Sequence, residues 1–161
     1  MLNTALPVLS KDGTIADNTY RLIGEDGALP QGDVVLTVEQ LDQIANVTGK
    51  KALYLTVDAS PETHEFPLDQ LDAIFIEFAG FNDGRGYSFA ALLRRQGFHG
   101  ELRATGDVFK DVLNYMKRSG FDTFVIKEGK DIQEAAAGLG DFTNPYQAST
   151  AVSEARYQTG A

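Results

Sequence analysis

The sequence predicts an α/β fold, a single domain with a mostly parallel sheet of four or five strands and flanking helices, arranged either as an open sandwich or as a partial β/α barrel. Three observations carry this. Short β-rich runs alternate with helix-period segments of ~10–13 residues and glycine turns, a pattern that calls for right-handed βαβ crossovers. The clearest run, Ala73-Ile74-Phe75-Ile76-Glu77-Phe78, is apolar except at Glu77, as expected of a strand covered by helices on both faces. The 161 residues suffice for one core but fall short of the ~250 that a complete eight-stranded barrel needs.

The elements follow in order. The first 32 residues have turn chemistry at Asp12-Gly13 and Glu25-Asp26-Gly27 around a strand-like Tyr20-Arg21-Leu22-Ile23, and read as an irregular or hairpin-like N-terminal extension. Val34 to Leu36 is a brief strand. Thr37 and Gln40 have capping-box spacing and open a helix through Leu41, Ile44 and Ala45, stopped near Gly49. Ala52 to Val57 is a strand, and the two prolines at Pro61 and Pro67 make the next stretch a loop. From Tyr87 the period turns helical, with Phe89, Leu92, Leu93 and Gln96 on one stripe and Arg94 and Arg95 pointing away.

Glu101 to Ala104 is the following strand. A helix from near Asp107 buries Val108, Val112, Tyr115 and Met116 and ends with Lys117, Arg118 and Gly120. Asp122 to Ile126 is the last strand. Asp131 and Glu134 open an alanine-rich helix that Gly138 and Gly140 interrupt, and residues 144–161 form a polar tail, frayed or docked on a partner.

Composition removes several classes of function. A net charge of -9 and a pI near 4.6 have the wrong sign for tracking nucleic-acid phosphates. A small anion is compatible with that charge, because screening at a Debye length of roughly 8 Å lets local donors outweigh it. Mean hydropathy is -0.20 and no apolar run approaches the ~20 residues of a membrane span. The start, MLNTALPVLSKDGT, lacks the basic, apolar and small-residue succession of a signal peptide, which makes the cytoplasm the expected compartment. Zero cysteines exclude disulfides, thiolate nucleophiles and cysteine-ligated clusters of the chain's own. His64 and His99 are isolated, so no metal site is expected. Ser88 lies in GYSFA, outside any nucleophile-elbow pattern.

The candidate site lies at two strand-to-helix loops, where parallel sheets bind their ligands. In Ala79 to Gly86, glycines and a helix N-terminus can turn N–H groups toward an anion, and Arg85 adds a planar fork suited to sulfate, phosphate or carboxylate. A solvated turn is the plain alternative. Thr105-Gly106-Asp107 repeats the arrangement one strand later, with Asp107 either a helix cap or an acid and orienter. Arg103 is either an anion ligand or half of a buried ion pair with Glu77 or Asp83. The ligand-binding candidates are therefore Gly84, Arg85, Gly86, Tyr87, Ser88, Arg103, Thr105 and Gly106, converging on one rim. Asp83 and Asp107 are the acid/base candidates, with Glu77 beside them.

The string DGRGYSFAALLRRQGFHGELRATGDVFKDVLNYMKRSGFDTF, from Asp83 to Phe124, resembles the bacterial family called domain of unknown function 934. Phe142 and Tyr146-Gln147 are similar to that family's C-terminal pattern, while the first ~50 residues match loosely. The resemblance implies an association with assimilatory sulfur metabolism, since members are encoded beside sulfite reductase or phosphoadenylylsulfate reductase and are described as oxidoreductases of sulfite reduction. It also implies Asp83, Arg85, Tyr87, Ser88, Arg103, Gly106 and Asp107 as family-type site positions. Ser119 stands where a cysteine is usual, which argues against a thiol role there.

With no cysteine, dinucleotide fingerprint or evident cluster ligands, the chain carries no recognisable electron carrier. The cofactor is left open. The expected role is an accessory protein of sulfite reduction that binds a small oxyanion or nucleotide-like ligand. Expected partners are that anion and a sulfur-assimilation reductase, with neither nucleic acid nor membrane. The alternatives are a homodimeric interaction module docking on a reductase, and an acid/base enzyme using Asp83 or Asp107.

Overall fold

The computed structural model describes residues 2–80 and 82–141; residues 144–161, set apart above as a tail, lie outside that range, as do Phe142, Tyr146 and Gln147. The strands are β1 (Val8–Ser10), β2 (Ile15–Ala16), β3 (Arg21–Leu22), β4 (Val34–Leu36), β5 (Lys51–Leu55), β6 (Ala73–Phe78), β7 (Glu101–Gly106) and β8 (Thr123–Phe124). They form one sheet in the order β2-β1-β8-β7-β6-β5-β4-β3. Pairings from β3 through β8 are parallel, whereas β1 runs antiparallel to both β8 and β2.

The sheet is thus mixed and has eight strands, in place of the mostly parallel sheet of four or five that the sequence predicts. The difference comes from the N-terminal segment, whose strands of two or three residues are too short to display alternation. Its hairpin turns at Asp12-Gly13, where Ser10 N donates to Thr14 O at 2.8 Å and Gly13 has φ +93. Arg21–Leu22 is the far edge strand, paired with β4. The first 32 residues are therefore integral to the sheet.

Three α-helices are described: α1 (Arg85–Arg95), α2 (Leu113–Arg118) and α3 (Ile132–Asp141). Residues Val38–Asn46 form a 3-10 helix, entered where Gln40 Oε1 accepts from Thr37 N at 3.0 Å. The chain after Gly106 runs through a 3-10 turn at Lys110–Val112 before α2, so Asp107 caps no helix. Tyr115 is 54% exposed, contrary to the predicted inward stripe, and α3 runs through Gly138 and Gly140.

The helices lie on one face of the sheet. Ile74, Ile76 and Phe78 of β6 and Leu102 and Ala104 of β7 form the main core with Ile44, Phe89, Leu93, Met116 and Leu139. The alternate residues Val35, Ala52, Ala73 and Phe75 form a second cluster with Leu2 and Tyr20 of the N-terminal segment. Successive parallel strands joined by right-handed crossovers place every connection on the same side. The sheet is singly wound, and the continuous apolar run of β6 is explained by chain, not helix, on its second face.

Arg103 binds that covering segment to the sheet. Its side chain lies on the helix-free face, in register with Phe75, and is 6% exposed. The guanidinium pairs with Glu101 Oε2 at 2.8 Å and donates to Thr123 Oγ1 at 3.2 Å and to Asn18 Oδ1 at 3.0 Å. It also lies 4.4 Å from the Phe75 ring centroid and 5.4 Å from that of Tyr20, within cation–π range. Asn18 in turn donates to Thr4 O at 3.1 Å. The partner is Glu101, two residues away on the same strand face, not Glu77 or Asp83. On the helix side Arg94 turns inward, donating to Gly100 O at 2.8 Å and pairing with Asp122 at 3.0 Å.

Removing one partner of a buried ion pair costs roughly 3–5 kcal/mol, and the partial exposure of Glu101 favours the low end. Arg103→Ala is expected to lower the unfolding free energy by about 3 kcal/mol in urea titrations, with Arg103→Lys recovering less than half because lysine lacks the fork. A loss below about 0.5 kcal/mol, the size of an ordinary surface substitution, would show that this arginine anchors nothing.

Candidate functional site

The carboxyl ends of β6, β7 and β8 lie side by side, and the loops that follow them hold most of the predicted site residues. They do not converge as the sequence suggested. Arg85 begins α1 on the helical side of the sheet and is exposed, whereas Arg103 is buried against Phe75 on the opposite face. A single small ligand does not touch both.

The Arg85 loop satisfies its own anion site. Asp83 Oδ1 accepts from Arg85 N and Nε, each at 3.0 Å, and Asp83 Oδ2 pairs with Arg85 Nη2 at 2.8 Å. This carboxylate occupies both the helix N-terminal N–H and the planar fork that an external anion would use. The Arg85 side chain, foremost, holds the Asp83 carboxyl below the usual carboxylate range.

Gly84 is the N-cap of α1, and Ser88 N donates to Gly84 O at 3.1 Å in its first turn. Gly86 is packed against Phe78: a Cβ there would sit 2.4 Å from the ring. Tyr87 packs at 4.9 Å between centroids on Phe78 and at 4.7 Å on Tyr115, and burial pushes its phenol up. These contacts support the packing of α1.

Thr105 and Gly106 present a different environment. Thr105 is 3% exposed, and its Oγ1 is a buried side-chain oxygen with no hydrogen-bond partner among the described residues. Burying a hydroxyl without a partner costs roughly 1–3 kcal/mol. Thr105 and Gly106 line a cavity of about 180 Å³, walled by Val125, Ile126, Lys127 and Glu128 after β8 and by Leu2, Asn3 and Leu6 of the N-terminal segment.

Gly106 has φ +91, and a Cβ there would lie 2.4 Å from Phe78 O. Only glycine lets β7 close on β6 at this point. At the rim, Lys127 Nζ contacts Asp107 at 3.0 Å, while Asp107 N donates to Phe78 O at 2.9 Å. Asp107 is thus an ion-pair partner. Glu77 is in register with Thr105 on the same face and accepts a hydrogen bond from the Tyr54 hydroxyl.

No cluster of three or more potential metal-ligating side chains occurs among the described residues. His64 stacks on Phe66 with centroids 5.9 Å apart, in a loop, and His99 is exposed elsewhere. The described residues contain no helix long and apolar enough to cross a membrane.

Sequence reasoning missed Lys127, Glu128 and Asn3. The first two stand directly after the apolar run Phe124-Val125-Ile126, the strand-end position that drew attention to the two preceding loops. Asn3 and its neighbours carry no local signal.

Fold and pocket together define a single-wound α/β protein with a small cavity at the carboxyl edge of its parallel strands. The chain belongs to the family described as bacterial protein of unknown function (DUF934), which it matches over residues 52–157. The match takes in all but the first residue of β5 and all of β6 to β8, hence Thr105, Gly106 and Lys127, whereas the segment contributing Leu2 and Asn3 precedes it. No curated protein and no solved structure matches the chain.

The Asp83–Arg85 pair has a direct test. A carboxyl whose folded value is depressed contributes stability above its unfolded value and loses it as pH falls through the folded one. An NMR titration is expected to show Asp83 protonating below the usual carboxylate range, and Arg85→Ala is expected to raise it toward that range. An unchanged Asp83 titration in Arg85→Ala would leave the loop open to an outside anion.

Proposed function

We propose that the chain is an accessory protein of assimilatory sulfur metabolism that binds a small oxyanion or nucleotide-like sulfur compound at the carboxyl edge of β7 and β8. The sulfur context rests on the resemblance carried by Asp83 to Phe124. The binding role rests on one observation, the buried, unpartnered Thr105 hydroxyl at a cavity.

Binding is favoured over acid/base catalysis by the state of the two candidate acids. Asp83 is paired with Arg85 and Asp107 with Lys127, so each already has a cation as its partner. Any reductive step draws its electrons from a partner reductase, because the sequence supplies no cysteine or dinucleotide fingerprint to carry them. The setting is cytoplasmic, where such reductases work on small sulfur anions.

Isothermal titration with sulfite, sulfate, phosphate and adenosine phosphosulfate at constant ionic strength tests the proposal. At least one ligand is expected to bind. Thr105→Val, nearly isosteric, is expected to weaken it roughly 10-fold or more, the worth of a hydrogen bond to a charged group, while Arg85→Ala leaves it unchanged. Binding lost in Arg85→Ala and kept in Thr105→Val would move the site to the Gly84 loop. Folded protein that gives no heat with any of the four would end the proposal.

A further inference from the structure

We infer that the cavity at Thr105 takes a compact, singly charged anion, of the size of a short carboxylate or a protonated inorganic oxyanion, and excludes nucleotides. This rests on the binding role proposed above and narrows its ligand class.

Size is the first constraint. The cavity measures about 180 Å³, below the ~300–1,000 Å³ of pockets that enclose drug-sized ligands. A nucleotide could not be enclosed without displacing its walls, and two of them are fixed from behind. The Leu2 and Asn3 side belongs to the segment that Asn18 holds through Thr4 O at 3.1 Å and through Arg103 at 3.0 Å. The opposite side is strand backbone, where Val125 N donates to Ala104 O at 2.9 Å and Lys127 N to Val108 O at 2.8 Å.

Charge is the second constraint. Among the described lining residues Lys127 is the cation and Glu128 a carboxylate. Lys127 also serves Asp107 at 3.0 Å. An ammonium has three donors, so Lys127 can keep Asp107 and still meet a ligand oxygen. One negative charge on the ligand is then matched by Lys127, whereas a second would meet the Glu128 carboxylate with no further cation among the described lining residues.

The remaining walls set the ligand's shape. Leu2, Leu6, Val125 and Ile126 offer no donors from their side chains, Asn3 Nδ2 donates to Glu128 Oε1 at 3.5 Å, and the Thr105 hydroxyl is a buried donor. An anion with one oxygen on Thr105, one toward Lys127 and a small remainder against the apolar wall fits this set.

The test is an amide NMR titration of the full chain at fixed ionic strength with formate, acetate, sulfate and adenosine 5′-phosphate as probes. Formate or acetate is expected to shift the Thr105 and Gly106 amides and to bind at least about tenfold more tightly than sulfate, with adenosine 5′-phosphate leaving them unmoved. Thr105→Val is expected to weaken the monoanion about tenfold and Thr105→Ser to restore it, the serine arm guarding against a packing defect. Lys127→Met, at an exposed side chain, is expected to weaken it without unfolding the protein.

Adenosine 5′-phosphate shifting these amides would overturn the size limit while leaving the binding role intact. Sulfate binding more tightly than acetate would overturn the charge limit. Equal affinity in Thr105→Val would remove the hydroxyl from the site. Unmoved Thr105 and Gly106 amides with all four probes would mean that the cavity holds only water and would end both readings.

Discussion

A buried guanidinium sets the relation between the two parts of this chain. The parallel strands place all their helices on one face, which leaves the other with an apolar patch around Phe75 and a row of polar side chains. Arg103 stands in that row, and by pairing with Glu101 while donating to Asn18 it attaches the N-terminal segment over the face. The rings of Tyr20 and Phe75, crossed edge to face at 5.3 Å, surround the charge with apolar surface and limit its contact with water.

The pocket is a consequence of that attachment. Its floor belongs to the strand ends at Thr105 and Gly106, yet its roof belongs to Leu2, Asn3 and Leu6, which are distant in sequence. Without the segment, Thr105 Oγ1 would lie open to solvent and would be an ordinary strand hydroxyl. The covering segment makes it a buried donor in need of a partner, and such donors are uncommon in folded proteins. Arg103, Arg94, Arg85 and Asp83 are engaged within the protein, and Lys127, paired with Asp107, lies at the pocket rim, 52% exposed.

The alternation of strands and helices is legible because each buried strand is a contiguous apolar run. Ala73 to Phe78 coincides with β6 for that reason. The strand-edge location of the site is legible too, since parallel sheets present their loops there. The covering segment is not, because Leu2, Asn18 and Tyr20 act through contacts with residues far along the chain. Two local pairs could have been read: Glu101 with Arg103 and Asp83 with Arg85 are each two residues apart. The first spacing puts both side chains on one strand face, and the second lets a loop carboxylate meet the first residue of a helix. Tyr115 was misplaced because its helix begins at Leu113, after a 3-10 turn that shifts the helical phase.

We propose the partly open strand-edge pocket, and not the arginine loop, as the place where an anion goes. A crystal structure of the protein soaked in selenate and in bromide, read by anomalous scattering, tests it most directly. Bromide is expected within hydrogen-bonding reach of Thr105 Oγ1 under an N-terminal segment still seated on Arg103, with selenate absent or weaker there. Anomalous density above Gly84 to Gly86 instead, with Thr105 facing open solvent, would contradict it.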